Sequence, residues 1–110
     1  MNLSIRHEDK EGLSILFLEG EIDAYTAPKL REALIPLAEQ PGQHITVDLS
    51  DVGYIDSTGL GIFIGALKAT HNHNGTLKLT GMSERVQRLF TITGLDEVIA
   101  IEKVEEEEMK

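Results

Sequence analysis

The chain has 110 residues, 41% of them hydrophobic, no cysteine, and a formal charge of −9 from nineteen acidic and ten basic side chains. This size accommodates one globular core, the missing thiols exclude disulfide frameworks, thiolate metal sites and cysteine nucleophiles, and the negative balance argues against direct contact with nucleic acid or anionic lipid. Arg6, Glu8, Asp9, Lys10 and Glu11 interrupt the first twenty positions, leaving neither a signal-peptide core nor a membrane-spanning run, so a cytoplasmic protein is expected.

Leu3 to His7 alternates apolar and polar, and Leu13 to Leu18 is a short apolar run. Both read as strands, joined by a turn around Lys10 to Gly12. The chain then passes through Gly20-Glu21-Ile22-Asp23 to Thr26-Ala27-Pro28, where Thr26 is the expected N-cap of a helix with proline in its first turn. Leu30, Leu34 and Leu37 recur at helical spacing. Pro36 conflicts with that helix, so its last turn is expected to be kinked or shortened, ending by Pro41-Gly42.

His44 to Leu49 is rich in β-branched residues and predicts a strand, followed by a loop at Ser50-Asp51-Val52-Gly53. From Gly59 to Ala69 the chain is almost wholly apolar, and the spacing of Leu60, Phe63, Ile64 and Leu67 predicts a largely buried helix. Gly59, Gly61 and Gly65 weaken that helix by roughly 1 kcal/mol each relative to alanine. Close packing on a sheet is the expected reason for all three, with Gly61→Leu costing roughly 1–3 kcal/mol through overpacking. Asn74-Gly75 ends the helix and Thr76 to Thr80 is the next strand. Ser83 caps a third helix with Val86, Leu89 and Phe90 inward, Gly94 stops it, and a last strand lies near Val98 to Ile101. The order β β α β α β α β is of α/β type with parallel crossovers. A single domain over 1–101 is expected, with 102–110 as an acidic, solvated tail.

Enzyme signatures are sparse. The Gly59-x-Gly61-x-x-x-Gly65 run has its third glycine one place late for a dinucleotide fingerprint, and Leu60, Ile62, Phe63 and Ile64 between the glycines belong to a packed helix face. There is no Gly-Lys-Ser/Thr phosphate loop. His71 and His73, two positions apart, do not share a helix face and read as a solvated helix end. Asp23, Asp48, Asp51 and Asp56 lack a metal-ligand spacing and read as turn and cap residues. The informative string is Asp56-Ser57-Thr58-Gly59, which sets hydroxyls at a helix N-terminus. On physical grounds alone Ser57 reads first as an N-cap.

The strings Gly20-Glu21-Ile22-Asp23, Tyr25-Thr26-Ala27-Pro28, Asp56-Ser57-Thr58-Gly59-Leu60-Gly61, Ser83-Glu84-Arg85 and Leu89-Phe90-Thr91-Ile92-Thr93-Gly94-Leu95, in that order, resemble the STAS-domain anti-sigma-factor antagonists of Gram-positive bacteria. The resemblance implies an α/β STAS sheet of four to five strands with helices packed mainly on one face. It further implies partner switching in stress-response transcription. The unphosphorylated antagonist binds an anti-sigma factor with serine-kinase activity and frees the sigma factor, and phosphorylation abolishes that binding. By the same resemblance Ser57 is the phosphorylation site, and Asp23, Asp56, Ser57, Thr58 and Gly59 contact the partner. The protein itself needs no cofactor and is not an enzyme, because ATP and Mg²⁺ belong to the kinase, and a PP2C-type phosphatase resets the serine. Two alternatives remain open: an accessory STAS subunit of a transporter or sensory scaffold, and a small nucleotide hydrolase, the latter disfavoured by the missing phosphate loop.

Overall fold

The computed structural model describes residues 2–102. Of the expected acidic tail only Glu102 falls inside them, at the end of a strand, and residues 103–110 lie outside. Five strands and three helices follow one another as β1 (Leu3–Lys10), β2 (Leu13–Ile22), α1 (Ala27–Ala38), β3 (His44–Ile55), α2 (Ser57–Asn72), β4 (Thr76–Thr80), α3 (Glu84–Ile92) and β5 (Ala100–Glu102). A 3-10 turn, Leu95–Glu97, precedes β5. The expected element order holds, and the 3-10 turn is the one addition.

Spatial and chain order of the strands coincide, β1-β2-β3-β4-β5. β1 and β2 are antiparallel across the two-residue turn Glu11-Gly12, where both residues have positive φ, 43° and 87°. A tight hairpin turn of matching twist requires that conformation, and glycine supplies it at the second position. The remaining pairs are parallel. Three successive crossovers step the same way across the sheet, and right-handed connections then set all three helices on one face. The packing agrees: α1 rests on α2, and Phe63 of α2 meets Phe90 of α3 with ring centroids 6.2 Å apart.

Alternation along the strands separates the two faces. Leu16, Leu18, Ile45, Val47, Leu49, Leu77 and Leu79 are buried under the helices, together with Leu30, Leu34, Phe63, Val86 and Phe90. The opposite face carries Arg6, with its guanidinium 4.0 Å from the centre of the Phe17 ring, and Lys78, paired to Glu102 at 3.0 Å. At the amino ends of the parallel strands the buried Ser14 hydroxyl donates to Asp9 Oδ1 at 2.6 Å and accepts from the Gln43 amide. The first of these bonds is the main reason the Asp9 carboxyl titrates below its ordinary value.

Two expectations are corrected. The stretch Ser50 to Gly53 is not a loop, because β3 continues through it to Ile55. Register shifts between Phe17 and Glu19 and between Gly20 and Glu21 of β2 let β3 carry extra residues as bulges, so polar Ser50 and Asp51 and the glycine at 53 stay in the strand. The glycines of α2 are not a common packing device. A Cβ on Gly59 would lie 2.6 Å from Ile22 Cγ2 and 3.0 Å from Ile55 Cγ2, so this position demands glycine. A Cβ on Gly65 would make ordinary contact with Ile35 at 3.9 Å, and one on Gly61 would meet nothing within 4 Å. Gly61 is exposed and a Cβ there is unopposed, so close packing is not the reason for glycine at that position.

Other local expectations hold. The Ser83 hydroxyl accepts from Val86 N–H at 3.2 Å, Gly94 takes the left-handed conformation after α3 with φ 78°, and His73 closes α2 with its ring on Ala69 O at 2.8 Å. α1 retains Pro36 and stops at Ala38, with Glu39 N–H on Ile35 O at 3.0 Å. No helix among the described residues is long and apolar enough to cross a membrane.

Candidate functional site

Parallel strands bring their carboxyl ends to one edge of the sheet, and in open α/β folds ligands and partners gather there. Here β2 and β3 end side by side, with Ile22 opposite Ile55 and Asp56 N–H bonded to Ile22 O at 3.1 Å. The two connections that follow, Asp23 to Thr26 and Asp56 to Gly59, therefore stand next to each other. Asp23, Asp56, Ser57 and Thr58 come together on this edge, while Gly59 lies buried beneath it against Ile22 and Ile55. Asp48 and Asp51 lie within β3 instead, and Asp48 Oδ1 accepts from Ser50 N–H at 2.8 Å.

Asp56, not Ser57, caps α2. Asp56 is extended (φ −105°, ψ −174°), and its Oδ1 accepts from Thr58 N–H at 2.9 Å and Gly59 N–H at 3.2 Å. Two of the helix's orphan donors are thereby satisfied. Ser57 becomes the first helical residue, exposed, and its hydroxyl makes no hydrogen bond among the described residues. The hydroxyl is therefore accessible and uncommitted.

In the neighbouring turn Thr26 stands at the N-cap position of α1 as expected, but it makes no side-chain cap bond. Its hydroxyl donates back to Glu21 O at 2.9 Å and accepts from Asp23 N–H at 3.0 Å. Asp23 closes the turn ahead of α1, its Oδ1 accepting from Tyr25 N–H and Thr26 N–H, each at 2.9 Å. Ala27 N–H already bonds Asp23 O at 2.8 Å. The reciprocal Asp23–Thr26 pairing has the logic of a capping box, and the Asp-x-x-Thr spacing was its signal in the sequence. The Thr26 N–H bond is the largest cause holding the Asp23 carboxyl below its ordinary value, with partial burial opposing.

What the edge offers chemically is a free hydroxyl beside two carboxylates already spent on backbone donors. Among the described residues no side chain is hydrogen-bonded to that hydroxyl. It can receive a group from outside, and a phosphate placed there would face Asp56 at close range. Sequence reasoning missed Tyr25, whose ring projects from the Asp23–Thr26 turn with 83% of its surface exposed.

Residues 4–108 match the STAS domain. The anti-sigma-B factor antagonist of Listeria monocytogenes is 47% identical over 108 residues, covering 97% of this chain and 95% of that protein. The anti-sigma-B factor antagonist of Bacillus subtilis is 48% identical over 101 residues, 92% of each chain. An anti-sigma factor antagonist from Mycobacterium paratuberculosis, known by crystal structure, superposes with a TM-score of 0.80 at 29% identity over 91% of this chain and 85% of that one. SpoIIAA from Bacillus in its phosphorylated form shares the fold at a TM-score of 0.74 and 20% identity, over 96% of each chain. The chain belongs to the STAS-domain family, among its anti-sigma-factor antagonists.

Proposed function

We propose that this protein is a cytoplasmic anti-sigma-factor antagonist working by partner switching, with Ser57 as its switch. Unphosphorylated, it binds an anti-sigma factor with serine-kinase activity through the edge bearing Asp23, Asp56, Ser57 and Thr58, and the sigma factor held by that partner is released to support stress transcription. The kinase transfers the γ-phosphoryl group of ATP to Ser57 Oγ with loss of the hydroxyl proton and departure of ADP. The phosphoprotein then lets go, and a PP2C-type phosphatase hydrolyses the ester. The protein is a substrate in this cycle and not a catalyst, and it makes no direct contact with nucleic acid.

One observation carries the reading: Asp56 takes the capping role, so Ser57 stands at the helix start with an exposed hydroxyl that the fold does not use. Phosphorylation adds roughly −1.5 to −2 charges. Thr58 and Gly59 N–H, the donors that would shelter a phosphate at a helix N-terminus, are already held by Asp56. Inside a packed interface the added charge meets both like-charge repulsion and desolvation, and association is lost.

Incubation with an anti-sigma-factor kinase, ATP and Mg²⁺, followed by peptide mapping, tests the assignment. Stoichiometric phosphate is expected on Ser57. Ser57→Ala should bind the kinase and stay permanently active, since it removes a hydroxyl contact of about 1 kcal/mol at most. Phosphate on Thr58 alone would contradict the reading.

A further inference from the structure

Five large hydrophobic side chains of the described residues are exposed: Leu13, Tyr25, Tyr54, Ile92 and Val98. Leu13 begins β2 and Ile92 ends α3, and Val98 precedes β5, all toward the amino ends of the parallel strands. The two tyrosines alone lie toward the opposite edge, the one that bears Ser57. Tyr54 stands across from Glu21 two residues before Asp56, and Tyr25 sits on the turn that follows β2.

That turn is fixed by the bonds of Asp23 Oδ1 to Tyr25 and Thr26 N–H and of the Thr26 hydroxyl to Asp23 N–H and Glu21 O. Its backbone is rigid while its aromatic side chain has 83% of its surface in water. The ring borders an open groove of about 370 Å³ lined by Asn2, Leu3, Ser4, Thr26 and Lys29. A rigid backbone presenting an exposed tyrosine is the arrangement of an interface hot spot, because little conformational freedom is lost on docking.

The occupant follows from position. A kinase acting on Ser57 must bring its phosphate to within bonding reach of that hydroxyl. A stable partner covers about 800 Å² on each side, a patch roughly 30 Å across. The chain path through the paired Ile22 and Ile55 caps the separation of Tyr25 and Ser57 at about 24 Å. A footprint of that width covers both residues when it is centred between them, about 12 Å from each, which is where the surface proposed above, spanning Asp23 to Ser57, is centred. Tyr25, whose N–H is bonded to Asp23 Oδ1, lies within it.

We infer that Tyr25 is the aromatic anchor of the kinase-binding surface, its ring entering an apolar pocket of the anti-sigma factor while Ser57 faces the partner's nucleotide. This rests on the partner-switching reading and adds a residue that determines affinity without taking part in phosphoryl transfer. Titration calorimetry with the purified, ADP-loaded anti-sigma-factor kinase tests it. Tyr25→Ala should weaken binding on the order of 30-fold with an unchanged unfolding midpoint, since the side chain supports no packing. Tyr25→Phe, which keeps the ring, should bind within about threefold of the unaltered protein, and Val98→Ala, at the far edge, should bind equally well. Unaltered affinity of Tyr25→Ala, or a loss matched by a lowered unfolding midpoint or by Val98→Ala, would overturn the inference while leaving partner switching intact. Failure of the unaltered protein itself to bind the kinase would overturn both.

Discussion

At the α2 N-terminus, Asp56 and Ser57 are both good caps, and the backbone decides between them. Asp56 is the residue that stays extended, so its carboxylate takes the two free N–H groups and the serine is left over. Among the helix glycines the outcome is equally local. Gly59→Ala should cost roughly 1–3 kcal/mol, because the new methyl runs into Ile22 and Ile55. Gly61→Ala should instead gain up to about 1 kcal/mol, since the site is open and alanine is the better helix former. Urea unfolding of the two variants checks this directly, and equal midpoints would contradict it. Asp23 makes a prediction about pH. Its carboxyl titrates below its ordinary range in the folded protein, chiefly through the Thr26 N–H bond. It therefore contributes stability above its unfolded pKa near 4 and loses that contribution as pH falls through the lower folded value. Asp23→Asn should flatten the acid side of the stability profile below about pH 4, as followed by thermal unfolding across pH.

Local punctuation was readable among the elements: Ser83 as a cap, Gly94 as a stop, Lys10 to Gly12 as a turn. The length of β3 was not, because Ser50, Asp51 and Gly53 break the alternation by which a strand is known, and only the pairing with β2 absorbs them as bulges. No local signal in His44 to Ile55 contains that partner. The consequence is functional, since those extra residues carry β3 to the same level as Ile22 and so set Asp56 and Ser57 beside the Asp23 turn. Amide hydrogen exchange should show residues 54 and 55 protected like the rest of the strand, where a loop would exchange rapidly. The edge as a site was legible in part. The hydroxyl at a helix boundary stood out and the Asp-x-x-Thr spacing signalled the Asp23–Thr26 box, but that the two turns share one edge emerged only when β2 and β3 lay side by side.

For the molecule as a whole, a five-stranded sheet covered by helices on one face leaves the carboxyl edge free for a partner while the core lies well beneath it. A phosphate on Ser57 would stand on the surface, and the buried residues under it, Leu60, Ile62 and Phe63, would keep their packing. On the proposed reading the switch would work through charge and desolvation at an interface and need no second fold. The most direct test is the affinity of the purified anti-sigma-factor kinase, loaded with ADP, for unmodified and Ser57-phosphorylated protein measured side by side. The account predicts a loss of at least about 3 kcal/mol, on the order of a hundredfold, on phosphorylation, with Ser57→Asp losing less because a carboxylate carries less charge and fewer acceptor oxygens. A phosphoprotein that binds the kinase as tightly as the unmodified form would contradict it.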